Sequence, residues 1–279
     1  MKLLPWLLLG VMGGGFAATP ITANAKAPTT ALATSSLTQS FCNAGLSHRP
    51  STRGKSRNLS SSLSYQTVTQ GHSGASSVTR APNIHLPALV WFGPTIHRAV
   101  YITIDDGWFP SQSVLRLMQR THLPITAFLI KEAVQEHLSY WKAFVRAGGM
   151  IEDHTVSHPP LTSLSPAHVY FQWHTPVIDY TRWFGVAPTL GRPPYGAINR
   201  AVLKEAYRAG LRHVIMWSAT MDQQGLQTWN RGPLRPGDIV LLHWDPGLYS
   251  ELVRLLATIH ADHLMPASLP LALSSGARG

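Results

Sequence analysis

Short runs of hydrophobic residues alternate with amphipathic stretches along the C-terminal two thirds of this chain. The clearest run is Val100-Tyr101-Ile102-Thr103-Ile104, five β-prone residues without a charge, and it ends in Asp105-Asp106-Gly107. Such a run predicts a strand buried on both faces. The glycine then lets the backbone leave the strand direction. Val114, Leu115, Leu117 and Met118 follow at the spacing of one helical face. Residues 125–130 read as a second strand, and residues 139–147 as a helix that stops at Gly148-Gly149. Met150-Ile151-Glu152 stands where a third strand belongs. Residues 165–184 predict a helix with Pro166 near its start and a kink at Pro176. Strand-like pieces recur at Thr189-Leu190, 213–217 and 239–242, with helices over 199–209 and 248–259.

Strands that alternate with helices argue for parallel β/α units, in a barrel or a doubly wound sheet. Eight full units need about 250 residues, so a closed barrel here has to be reduced or distorted. In either architecture ligands bind at the C-terminal ends of the strands, and the unusual polar residues fall at those ends.

Two adjacent carboxylates at the end of a buried strand repel each other and lose hydration, so they need a cation, a metal ion or a shared proton. The plainer alternative is an Asp-Gly turn with two solvated acids. His154 and His158 follow the third strand with three residues between them, and on a helical turn both rings would face one side. Alone, such a pair is more often structural. Together with the strand-end acids it supplies two nitrogens and one oxygen for a metal ion, with a position left open for water. In Arg192-Pro193-Pro194-Tyr195-Gly196 the prolines stiffen the backbone, Gly196 permits a turn, and Arg192 offers a permanent charge for an acid of the first strand. A merely rigid connection is the other reading. His243 ends the run Ile239-Val240-Leu241-Leu242, which places an ionisable ring at the top of a buried strand, as a proton carrier or as a satisfied end residue.

These four segments resemble, in order, the first, second, third and fifth motifs of the NodB-type polysaccharide deacetylases, carbohydrate esterase family four. The resemblance covers about residues 96 to 270. It implies a distorted (β/α) barrel, usually of seven strands, and a hydrolase that removes acetyl groups from an acetylated glycan such as peptidoglycan or a chitin-like oligosaccharide. It implies that Asp105 is the general base and that Asp106, His154 and His158 are the metal ligands. Arg192 would orient Asp105, the Tyr195 N–H would face the developing oxyanion, Leu241 would line the acetyl-methyl pocket, and His243 would be the general acid. Zinc is the expected ion, and the same ligands accept cobalt, nickel or manganese.

The chain departs from the family pattern in two places. Trp108 follows Gly107 where proline is common. The acids usual three and six residues after the fourth motif's tryptophan are replaced, because Thr220 and Gln223 hold those places after Trp217. Asp222 is then the nearest acid to hold and charge His243. This departure favours a rival reading, a glycan-binding protein that catalyses poorly. A third reading, an amidase for a small non-sugar C–N bond, requires a closed pocket.

Charge is distributed unevenly along the 279 residues. There are 23 Lys and Arg against 13 Asp and Glu, yet Asp105 is the first acid in the chain. Lys2, an apolar run from Leu3 to Val11, and small residues ending in Ala23-Asn24-Ala25 match a secretory signal over residues 1–25. An uncleaved anchor is the alternative. Residues 26–84 are rich in Ser, Thr, Gly and Ala without a sustained period and read as a basic linker. Its Arg49, Arg53, Lys55 and Arg57 suit either a solvated tail or contact with an anionic envelope surface. The expected location is therefore secreted or envelope-associated. Nucleic acid is not an expected partner, since no aromatics interleave these charges. Cys42 is the only cysteine, so no disulfide forms within the chain. Residues 85–275 remain as the catalytic domain.

Overall fold

A computed structural model describes residues 85–276. The signal segment, the linker and Cys42 lie outside the described residues. The strands are β1 (Ala88–Val90), β2 (Ala99–Asp106), β3 (Thr126–Leu129), β4 (Met150–Asp153), β5 (Leu190–Gly191), β6 (His213–Ile215), β7 (Ala219–Asp222), β8 (Gly225–Thr228), β9 (Ile239–His243) and β10 (Met265–Ala267). The helices are α1 (Gln112–Thr121), α2 (Lys131–Glu136), α3 (Leu138–Arg146), α4 (Pro166–Phe184), α5 (Arg200–Ala209), α6 (Leu248–Ala261) and α7 (Leu269–Gly276).

The sheet runs in the order β1-β6-β5-β4-β3-β2-β9-β7-β8, and β10 pairs with the first residues of β2. Every pairing is parallel except the β7–β8 hairpin. The fold is thus the expected α/β type, a distorted (β/α) barrel, but with more strands than seven. β1, β8 and β10 are short additions at its margins. Its two end strands, β1 and β8, are not paired with each other. A single antiparallel bridge between Phe92 and Asp238 ties the chain after β1 to the foot of β9.

Alternation along β2 divides the core in two. Val100, Ile102 and Ile104 pack outward against residues of the surrounding helices, including Val114 and Met118 of α1 and Leu252 and Leu255 of α6. Ala99 and Tyr101 face inward with Phe128, Ile215 and Ile239. The inner face therefore carries the apolar plug of the barrel low down, with Thr103 and then Asp105 above it. Several helices begin and end on predictable signals. Ser165 caps α4 by accepting the His168 N–H, and Gly185 closes that helix in the left-handed region at φ 78°. Pro176 lies inside α4, which continues through it to Phe184. The buried Glu152 carboxylate accepts the N–H groups of Thr189 and Leu190 and so fixes the chain entering β5. Burial pushes its pKa up to about 8 against those two bonds.

Candidate active site

Asp105 and Asp106 end β2, and strict alternation would send them to opposite faces. Asp106 instead has φ 81°, in the left-handed region, and Gly107 follows at φ 105°. A Cβ at Gly107 would come within 3.0 Å of Leu129 and 3.1 Å of Trp141, so the turn requires glycine on two counts. The turn brings Asp106 Oδ1 to 3.5 Å from His154 Nε2 and 3.6 Å from His158 Nε2.

The segment carrying the histidines is not the helical turn expected from their spacing. Thr155 and His158 have φ 73° and 60°, and no helix forms between them. Side chains hold this loop instead. Asp153 Oδ1 accepts the Thr155 N–H, Thr155 Oγ1 accepts the His158 N–H, and the Gln172 amide oxygen accepts from Val156 and Ser157. Gln172 reaches in from α4, sixteen residues away in sequence from Val156.

His154 is 2% exposed, and its Nδ1 lies 2.7 Å from the Arg192 carbonyl oxygen. A carbonyl only accepts, so Nδ1 carries the proton, and the Nε2 of the neutral ring presents a lone pair. Burial lowers the His154 pKa to about 3, with Asp106 opposing, which keeps the ring neutral. Burial also lowers His158, again against the pull of Asp106 and Asp105. Asp106 Oδ1 is buried and has no hydrogen-bond partner. Lone pairs of Asp106 and His154 thus face one another at 3.5 Å with no proton between them. A cation relieves that arrangement. Ligand bonds of about 2.0–2.1 Å in a tetrahedron put donor atoms about 3.4 Å apart, close to the separations found here. Asp106, His154 and His158 are the one such cluster among the described residues, and they fit a divalent ion.

Arg192 follows β5 and is completely buried. Its Nη1 donates to Asp105 Oδ1 at 2.7 Å and to Thr103 Oγ1 at 2.9 Å, and its Nη2 donates to the Met216 carbonyl at 3.1 Å. The guanidinium lies 4.3 Å from the ring centre of Phe128 and 5.8 Å from that of Trp217. Burial raises the Asp105 pKa, while Arg192 first and His243 next pull it down. Asp105 Oδ2, 3.7 Å from His154 Nε2, is turned toward the histidine cluster.

The other expected residues stand around this centre. Tyr195 has φ 59° and is 70% exposed, and its ring packs edgewise on His158 with centroids 4.7 Å apart. The two hydrogen bonds of its turn are donated by Gly196 and Ala197, not by Tyr195. Leu241 is buried beside Thr103, and His243 is exposed beside Asp105, each in register across the β2–β9 pair. Asp222 Oδ1 accepts the N–H groups of Gln224 and Gly225 and so closes the β7–β8 turn. Among the described residues no hydrogen bond joins it to His243.

Sequence reasoning passed over Thr103, Phe128 and Glu251. Glu251 lies on the apolar stripe of α6 with Leu248, Leu252, Leu255 and Ile259, is 1% exposed, and leaves Oε1 without a partner. An acid inside an apolar stripe was the signal that could have found it. Burial raises its pKa, Asp245 and Asp222 add to the rise, and Arg254 and His243 oppose it. The folded chain therefore holds a proton that the unfolded chain releases above the ordinary value of 4.5, and stability declines as pH rises through that window. Glu251→Gln removes this residue's share of the decline and leaves that of Glu152, whose pKa is also raised. The variant's melting temperature matches that of the parent at about pH 4 and exceeds it at about pH 7, as thermal unfolding at both values will read.

A sequence model of the polysaccharide deacetylase family matches residues 93–214. A chitooligosaccharide deacetylase of Bradyrhizobium is 32% identical over 54% of this chain and 73% of its own. A peptidoglycan-N-acetylglucosamine deacetylase of Bacillus cereus is 30% identical over 61% of this chain and 84% of its own. A family 4 carbohydrate esterase from Bacillus anthracis superposes with a TM-score of 0.59 at 19% identity, covering 67% of this chain and 88% of that one, which speaks to the fold alone.

Proposed function

From the premise that this chain belongs to the polysaccharide deacetylase family, we propose that it is an exported, metal-dependent hydrolase that removes acetyl groups from a polymer containing N-acetylglucosamine. The observation that carries the reading is the placement of a buried, arginine-bound carboxylate, Asp105, directly beside the Asp106–His154–His158 cluster. The two named relatives support the substrate class. Export rests on the pattern of residues 1–25.

Asp106, His154 and His158 hold the ion, and zinc suits a set of two imidazoles and one carboxylate. When bound, it polarises the acetyl carbonyl and acidifies water. Asp105 removes the proton from the attacking water, while Arg192 and its contacts to Thr103 and Met216 hold that carboxylate in one orientation. The Tyr195 N–H donates to the oxyanion. Leu241 gives the acetyl methyl group an apolar wall. The C–N bond then breaks, the amine leaves with a proton from His243, and acetate remains.

Acetate release from acetylated peptidoglycan, chitin oligosaccharides and acetylated xylan, each with and without a chelator, tests the proposal. The first two substrates should release acetate, the chelator should stop it, and zinc should restore it. His158→Ala should bind little metal by elemental analysis. Stoichiometric metal in His158→Ala would remove the cluster from the proposal. A metal-loaded parent protein that releases no acetate from any of the glycans would overturn the activity.

A further inference from the structure

Beside the candidate active site the barrel leaves a lateral cleft of about 200 Å³ on the exposed flank of the β7–β8 hairpin. Its wall nearest the catalytic residues is Trp217. One part of that side chain lies 5.8 Å from the Arg192 guanidinium, and a Cβ at Gly196 would meet its ring at 3.1 Å. Trp217 therefore supports the Tyr195 turn from below and also lines the cleft. At the opposite wall stands Trp229, which follows β8 and is 65% exposed. The Phe92 ring meets it edge-on, with centroids 5.9 Å apart and planes at 78°. That contact braces one side of the indole and leaves the rest of the ring exposed.

The polar groups between the two tryptophans differ in what they are free to do. Thr228 Oγ1 is engaged with Asn230 and Gly232, and Ser218 Oγ donates to Asp238. The Thr220 hydroxyl and the Gln227 amide make no hydrogen bond among the described residues, and Thr220 is in register with Leu241 across the β7–β9 pair. No charged residue lines the cleft. Two indoles, a free hydroxyl and a free carboxamide, without charge, match a neutral ring that presents C–H faces to an aromatic surface and hydroxyls to amides. A nucleotide or an acidic peptide would need a cation here, and none is present.

We propose that this cleft is a glycan subsite, in which Trp229 stacks on a pyranose unit of the same substrate chain whose acetylated sugar lies at Asp105. Gln227 and Thr220 bind that unit's hydroxyls, and Trp217 links the cleft to the reaction centre. The inference rests on the glycan-deacetylase reading, and it gives this chain a preference for longer oligosaccharides over a single sugar.

The full-length protein and its Trp229→Ala and Gln227→Ala variants are titrated calorimetrically with a β-1,4-linked N-acetylglucosamine pentamer, and acetate release is measured from the pentamer and from free N-acetylglucosamine. Trp229→Ala should bind the pentamer about fivefold to tenfold more weakly, the scale of one aromatic stacking contact. It should raise KM for the pentamer by a similar factor with kcat unchanged, and leave release from the single sugar as it was. Trp229 is largely exposed, and an unchanged melting temperature will show that the fold is intact. Gln227→Ala should weaken pentamer binding in the same direction. Equal pentamer affinity in the parent and Trp229→Ala, or no pentamer binding by the parent, overturns the subsite. Pentamer binding that depends on Trp229 in a protein that releases no acetate would overturn the deacetylase reading and uphold the cleft.

Discussion

Asp105→Asn is expected to keep its metal and lose acetate release by a factor of about 10²–10⁴, the usual contribution of a positioned general base. Asp105 is 3% exposed, one oxygen is bound by Arg192, and the other is turned toward the histidine cluster. Asparagine has the same shape and still offers Arg192 an acceptor, but its amide takes no proton from water. The substitution also leaves Arg192 buried beside a neutral group. Breaking a buried pair costs about 3–5 kcal/mol where one partner is removed outright. Here the guanidinium keeps its bonds to Thr103 and Met216, so the loss of stability should be smaller. Elemental analysis and thermal unfolding of the same preparation separate a lost base from a lost fold. Near-parental turnover in a folded, metal-loaded variant would transfer the role of base elsewhere.

The residues of the site were more legible than the backbone that assembles them. β2 could be read because it is buried on both faces and so carries an uninterrupted apolar run, and its end marked the two acids. β7 and β8 could not. β7 alternates buried Ala219 and Met221 with Thr220 and Asp222, but four residues are too few to stand out, and β8 has no buried position to mark it. α2 has only six residues, fewer than two turns, and offers no stripe to detect. The histidine loop misled for a different reason. Spacing of four suggests a helix, but the conformations of Thr155 and His158 depend on Asp153 and on Gln172 of α4, a tertiary support that no local pattern carries. Asp106 is similar, because its adjacency to Asp105 was visible while its positive φ was not. That turn is what lets neighbouring residues serve the same centre.

His243→Ala is expected to lose about 10²–10⁴ of the rate on an N-acetyl substrate and distinctly less on an O-acetyl ester of similar size. The difference follows from the leaving groups, since an amine departs badly unless it is protonated whereas an alkoxide has less need of the proton. Position supports the role. His243 ends β9 in register with Asp105, on the exposed side of the centre where a leaving sugar nitrogen has room. Its surroundings differ from the family pattern, with Thr220 and Gln223 where acids are usual. Asp222 spends its carboxylate on the β7–β8 turn, and the buried Glu251 on α6 feels the charge of His243 as well as those of Asp245, Asp222 and Arg254. Among the described residues no hydrogen bond joins His243 to either carboxylate, so the role rests on its place beside Asp105. Parallel rate measurements on matched amide and ester substrates read the outcome. Equal losses on both would make His243 a binding or positioning residue, because a proton donor to the leaving group must discriminate between them.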